Sequence, residues 1–166
     1  MLTALIRWLI FPHVPSALTF YMAHGTSVAM AFKVRKETDF TRTSAMLDLS
    51  WSTMILMGVS FLIMGLTGII LPFMIHIWNK VWIWASIVLM LFVFIYMAMF
   101  NETTYKQLRR LVGLPYMKGS KQLPAEPPSS PQEVAALLKK TGVAGLVVVG
   151  YVIPAIVLWL MIFKPF

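Results

Sequence analysis

Long apolar runs alternate with short basic or polar breaks along this chain, and the apolar positions fill whole runs instead of one face. Four runs stand out, at approximately 9–32, 51–78, 81–100 and 141–163. A helix needs about 20 predominantly apolar residues to cross a hydrocarbon core, so each run predicts a membrane span. The expected fold is all-α, a four-transmembrane-helix bundle forming one integral membrane domain over residues 1–166. Only Asn79 and Lys80 separate the second and third runs, which predicts a tight antiparallel hairpin.

The breaks carry helical extensions. Glu37–Ser50 reads as a short helix leading into span two. Thr103–Val112 continues span three, with Tyr105, Leu108 and Val112 on one side. Within the long connection 101–140, "QLPAEPPSSP" (122–131) is a Pro/Ser-rich linker with no regular structure expected. It ends in a start signal: Ser130 as N-cap, Pro131 at the first helical position and Glu133 completing a capping box. The helix begun there is expected to pass through Lys139 and Lys140 into span four. Near the N-terminus, Arg7 before an apolar run resembles a signal sequence. Pro12 and Pro15 interrupt that run and no small-x-small site follows, so a retained first span is expected.

Composition agrees with a lipid environment. The chain is 59% hydrophobic and 12% charged, whereas soluble domains carry about 25% charged residues. Too few charges exist to cover a water-facing surface. The net charge of +8 could suggest nucleic acid, but the cations cluster at the ends of apolar runs and not on one polar face, so no nucleic-acid partner is expected. Lys33, Arg35, Lys36 and Arg42 follow span one. Lys106, Arg109, Arg110, Lys118, Lys121, Lys139 and Lys140 follow span three. Only Arg7, Lys80 and Lys164 lie on the other side. Eleven against three predicts cytoplasmic long loops and both termini outside. Trp78, Trp82, Trp84 and Trp159 would then mark the outer interface and Trp51 the inner one. Lys106, Arg109 and Arg110 are expected to meet anionic lipid headgroups.

Three histidines carry the candidate chemistry. On a helix, His13, Ala17, His24 and Ala31 share a narrow stripe with Ser27 beside it. Span two offers Gly58, Gly65, Pro72 and His76, flanked by Phe61 and Gly68. Small residues allow close helix approach, so these stripes are expected to face each other along a polar seam. Counting about 13 Å inward from Lys33 at 1.5 Å per residue places His24 level with Ser60 and with Gly150–Tyr151. One reading is structural, with neutral His24 bonded to Ser60, Tyr151 or a backbone carbonyl. A second is haem b, held by His13 and His76 at one depth, with His24 needing a methionine partner. A third is copper, suggested by thirteen methionines together with the histidines. With no cysteines, disulfides and thiolate metal sites are excluded. The spans contain no carboxylate, and no phosphate-binding glycine pattern occurs, so enzyme chemistry other than redox finds little support in the sequence.

Several segments carry a resemblance. "AHGTSVAMAFKVRKE", "LDLSWSTMILMGVSFLIMGLTGI", "WIWASIVLMLFVFIYMAM", "YKQLRRLVGLPY", "SPQEVAALL" and "LWLMIFKPF" together resemble a family of predicted four-span bacterial integral membrane proteins bearing the domain-of-unknown-function label. More distantly, the arrangement is similar to copper-resistance D and haem-linked protoporphyrinogen oxidase four-helix proteins, whose early-span histidine would correspond to His24. The resemblance implies a multi-pass protein of the bacterial inner (cytoplasmic) membrane. The function expected from the sequence is that of an accessory or assembly subunit of a larger membrane complex. Its partners would be membrane lipids and other membrane-protein subunits, or further copies of itself. The alternative is a haem b- or copper-binding redox protein using His13, His24 and His76.

Overall fold

A computed structural model describes residues 2–140 and 142–165 of the chain. Helices dominate, and three of them, over Phe40–Met74, Val81–Leu111 and Val143–Phe163, are long and apolar enough to cross a membrane. The first helix, α1 (Leu2–Val34), is not among these three; two prolines, two histidines and several hydroxyl residues dilute it. It stays continuous through Pro12 and Pro15, as a helical run over 9–32 requires. Prolines remove backbone donors, and Ser16 adds one: its hydroxyl donates to the carbonyls of Pro12 (2.6 Å) and His13 (3.0 Å) within the affected turn.

Helix α2 runs Phe40–Met74 without a break, so the expected extension and span two form one rod. Asp39 caps it, its carboxylate accepting from the amides of Thr41 (2.7 Å) and Arg42 (3.4 Å). It ends earlier than the sequence suggested. Pro72 lies in its last turn and His76 takes a left-handed φ of 55°, so residues 75–80 form the turn. The connection is therefore longer than Asn79 and Lys80 alone. Trp78 and Trp84 meet there, with the Trp84 indole donating to the Trp78 carbonyl at 2.9 Å.

Helix α3 (Val81–Phe100) passes through a π-helical turn, Asn101–Tyr105, into α4 (Lys106–Leu111). Strands β1 (Tyr116–Lys118) and β2 (Lys121–Leu123) then form an antiparallel hairpin around Gly119, whose φ is +61°. This corrects the purely helical expectation and shortens the irregular linker. Gly119–Ser120 is a two-residue hairpin signal that the apolar runs obscured. Helix α5 (Pro131–Lys140) starts where expected from Ser130, whose hydroxyl accepts from the Glu133 amide at 3.4 Å. It does not run on into the last span: Gly142 is extended, and α6 (Val143–Val147) begins after it. The anticipated span start, Thr141, lies outside the described residues. A second π-helical turn, Val148–Val152, joins α6 to α7 (Ile153–Phe163).

Helices pack in pairs. Along α1, residues His13, Phe20 and Ser27 recur every seven positions and face α2. His13 reaches Thr67, Phe20 meets Phe61, and Ser27 bonds the Thr53 hydroxyl at 3.2 Å. Helix α7 places Ile153 and Val157 in a core with Met90 and Val93 of α3. The two pairs join where α1 meets the second π turn. Gly150 makes that approach possible, because a Cβ there would stand 2.6 Å from a Val28 methyl. Val28 is β-branched and cannot rotate away freely. Gly150→Ala is therefore expected to destabilise the bundle by about 1–3 kcal/mol through overpacking. Gly25→Ala, where an added Cβ meets nothing, should be neutral or slightly stabilising. Thermal unfolding of both variants in detergent checks the contrast.

Candidate membrane-embedded site

The second π turn explains what His24 does. Pro154 has no N–H, so the α-helical bond that Gly150's carbonyl would receive from it cannot form. The ladder slips by one residue, and the Ile153 amide donates to Val148 instead of Val149. In the π pattern the donor to the Val149 carbonyl would stand five residues on, at Pro154, which has no N–H, so that carbonyl is left without a backbone donor. His24 supplies one: its Nε2–H donates to that carbonyl at 3.2 Å. This geometry selects the tautomer with Nε2 protonated and leaves Nδ1 as an acceptor. The imidazole is 1% exposed and stacks on Phe20 with centroids 5.6 Å apart and planes within 7°. His24 Nδ1 is buried without a partner.

His13 is held differently. Its Nδ1 lies 2.9 Å from the Thr67 hydroxyl and 3.1 Å from the Met64 carbonyl, so the imidazole ties α1 to α2. Its ring covers Gly68, where a Cβ would come within 3.0 Å of Cε1. The expected seam is therefore assembled only in part. Gly68 faces His13 and Ser27 faces α2, but Gly58 and Gly65 point where an added Cβ would meet nothing. Ala17 is half-buried on α1, and Ala31 lines a cavity described below. Ser60 is buried and Tyr151 stacks on Phe32, but the bond that His24 makes is to Val149. His76 is exposed in the turn after α2 and shares no helix face with the other two.

This arrangement does not fit haem b. An axial pair needs two imidazoles across a porphyrin. His13 lies against the α2 backbone at Gly68, and His24 faces the fourth helical segment about 16 Å along α1 at 1.5 Å per residue. His24 Nδ1 is closed off by protein, so a porphyrin would have to part the helices. Met57 and Met64 pack against the core that contains Phe20 and Met90, as ordinary packing residues. Among the described residues, no three His, Asp or Glu side chains gather into a metal-binding group.

At the end of the bundle carrying the basic loops, a cavity of about 200 Å³ lies between α1, α2, α3 and the segments around α5 and α6. Stacking of Phe61 on Phe94, 4.9 Å between centroids, joins α2 to α3, and Phe94 also lines the cavity. Below it the walls are mostly Met, Leu, Val and Phe, with Ser27, Ser50, Asn101 and Thr104 among the polar liners. Next to it Tyr105 donates its hydroxyl to the Leu47 carbonyl and stacks on Trp51, with planes within 4°.

The cations expected at headgroups each have an acidic partner. Arg109 is 5% exposed: Nη1 stands 2.8 Å from an Asp48 carboxylate oxygen, an ion pair without hydrogen-bond alignment. Its Nε donates to Pro115 at 3.0 Å, and the guanidinium lies over Trp51. Arg109 is thus largely buried. Sequence spacing could not show that Asp48, far away in the chain, would reach it. Lys106 pairs with Glu102, and Arg110 donates to Glu126 at 2.9 Å. Tyr116 also donates to Glu126, and these two bonds hold the Glu126 carboxyl below its ordinary range.

With this geometry in hand, comparison with known proteins adds no relative: no family model, no curated protein and no solved structure matches the chain.

The bond between His24 and the Val149 carbonyl is open to a double-mutant cycle. His24→Leu strands a buried carbonyl and is expected to cost about 1–2 kcal/mol. Pro154→Ala restores an N–H, lets the turn relax toward α geometry and should remove most of that cost. Additive losses in the double variant, measured by chemical unfolding, would show that Pro154 does not create the need for His24.

Proposed function

We propose that the chain is a four-span, multi-pass component of the bacterial inner membrane that acts as an accessory or assembly subunit rather than as an enzyme. It stands beside other membrane-protein subunits or further copies of itself. The observation that carries this reading is the use of both membrane-depth imidazoles as ties between helices. His13 holds α1 on α2, and His24 holds α1 on the π turn before α7. One nitrogen of each ring is engaged in holding helices together.

The same ties support α1 as the fourth span. Its polar side chains face inward: His13 meets Thr67 near one end of α2, and Ser27 meets Thr53 and Ser50 near the other. A helix that lies along α2 over this length shares its depth. Loop charge supports cytoplasmic placement of the β hairpin and α5, with both termini outside. The grouping of Trp78, Trp84 and Phe73 at one end and Trp51 with Arg109 at the other is consistent with two interfaces.

The chain lacks cysteine, so single cysteines can report topology. Asn79→Cys should react with an impermeant maleimide in intact cells, and Ser120→Cys only after permeabilisation. Labelling of Ser120→Cys from outside would overturn the orientation. Function is tested by in-cell crosslinking followed by purification in mild detergent. Crosslinked products containing other integral membrane chains or further copies are expected. A monomer with a Soret band that disappears in His24→Ala would replace this reading with the haem alternative.

A further inference from the structure

At the loop end of the cavity, part of the wall is a short helix set between two breaks in the chain. Helix α5 spans Pro131–Lys140, and the extended Gly142 (φ −68°, ψ 117°) separates it from α6. Val134, Leu137 and Leu138 recur at helical spacing and pack on a core with Val34, Leu47 and Leu108. Leu138 also lines the cavity. The other face, with Gln132, Glu133, Ala135, Ala136 and Lys139, is exposed. The apolar hold of α5 on the bundle thus rests on three aliphatic side chains. Elements with so few buried apolar contacts open locally while the rest of a structure stays folded.

On its N-terminal side α5 is set in place by a strap, residues 124–130, laid against the end of α4. The Ser129 amide donates to the Leu111 carbonyl at 2.8 Å, answering an acceptor at the end of α4, and Ser130 caps α5 immediately afterwards. Gly113, at φ +79°, allows the strap to come close. A Cβ there would stand 3.1 Å from Pro128 and 3.3 Å from the Glu126 carbonyl oxygen. The Glu126 side chain supplies a latch. Its carboxylate accepts from Arg110 at 2.9 Å and from the Tyr116 hydroxyl, and the Arg110 guanidinium lies 5.9 Å from the Tyr116 ring centroid. One carboxylate therefore ties the strap to both α4 and β1. The ion pair is open to solvent, with the Arg110 and Glu126 side chains 57% and 43% exposed. An exposed pair shifts an equilibrium by about fivefold at most and is screened by salt.

We propose that α5 is a lid on the loop end of the cavity, and that Glu126, latched to Arg110 and Tyr116, holds the strap that keeps the lid shut. Release of the latch frees the strap from α4, lets α5 swing about Gly142 and admits water-borne molecules to the space lined by Ser27 and Thr104. The lid needs only the packing described here and is independent of which subunits the chain assembles with.

Because the chain has no cysteine, single thiols can test this on the full-length protein in lipid nanodiscs. The probe is a methanethiosulfonate reagent whose fixed trimethylammonium charge keeps it out of the bilayer. Ser27→Cys places the thiol on the cavity wall. At about 0.05 M salt, Glu126→Gln and Arg110→Gln are each expected to speed its modification about two- to fivefold. Raising the salt to about 1 M should speed it similarly where the latch is native and leave Glu126→Gln unchanged. Rates are taken relative to Asn79→Cys in the turn at the opposite end, which cancels the effect of salt on the reagent. Ser86→Cys, at a position on α3 that is 1% exposed, reports on the bundle and should stay unmodified throughout. Equal rates with and without the latch, at both salt concentrations, would overturn the proposal. So would faster modification of Ser86→Cys in step with Ser27→Cys, which means that the bundle opens and not a lid. If Glu126→Gln aggregates, the salt dependence of Ser27→Cys with the native latch decides in its place.

Discussion

A backbone carbonyl inside a membrane has no water to accept from, and the Val149 carbonyl is the place where this constraint shapes the bundle. Pro154 removes the donor that would let the last segment continue as an ordinary α-helix, and the resulting π turn leaves Val149 unserved. His24 supplies the missing donor from another helix 125 residues away in sequence. The bond needs a close approach of α1, and Gly150 provides the space by letting Val28 pack directly against the backbone. Proline, histidine, glycine and valine thus form one unit. It joins the α1–α2 pair to the α3–α7 pair.

The same economy runs through the other polar groups at membrane depth. Thr67 donates to the Ile63 carbonyl of its own helix and also meets His13, while Ser27, Ser50 and Thr53 connect the opposite ends of α1 and α2. Nearly all polar chemistry in the spans is directed inward, and large apolar side chains such as Ile55, Leu62, Val88 and Phe92 face outward. That distribution is inverted relative to a water-soluble bundle and suits a hydrocarbon surround.

The basic end holds a cavity, and the groups around it are unlike those of the seam. Tyr105, Trp51, Arg109 and Asp48 form a fixed cluster, while Asn101 keeps an unmet acceptor beside apolar walls. Imidazoles drew attention first because ionisable groups in a membrane signal function. In the folded chain two of them tie helices together, His13 through Nδ1 and His24 through Nε2, while His24 Nδ1 stays buried without a partner.

Run length and charge placement were enough to indicate apolar helices, because lipid exposure needs only many apolar residues in succession and the loop bias is a simple count. The start at Pro131 was equally legible, since an N-cap acts within one turn. Other features depended on partners far away in sequence. A hydropathy pattern could not show that His24 would bond the Val149 carbonyl or that Arg109 would find Asp48. Nor could it reveal the hairpin at Gly119 or the π turns, which arise from backbone hydrogen-bond pairing. Composition determined the solvent that these helices suit. Only the tertiary arrangement decided which polar atom answers which carbonyl, because that depends on distances between helices that no local sequence rule encodes.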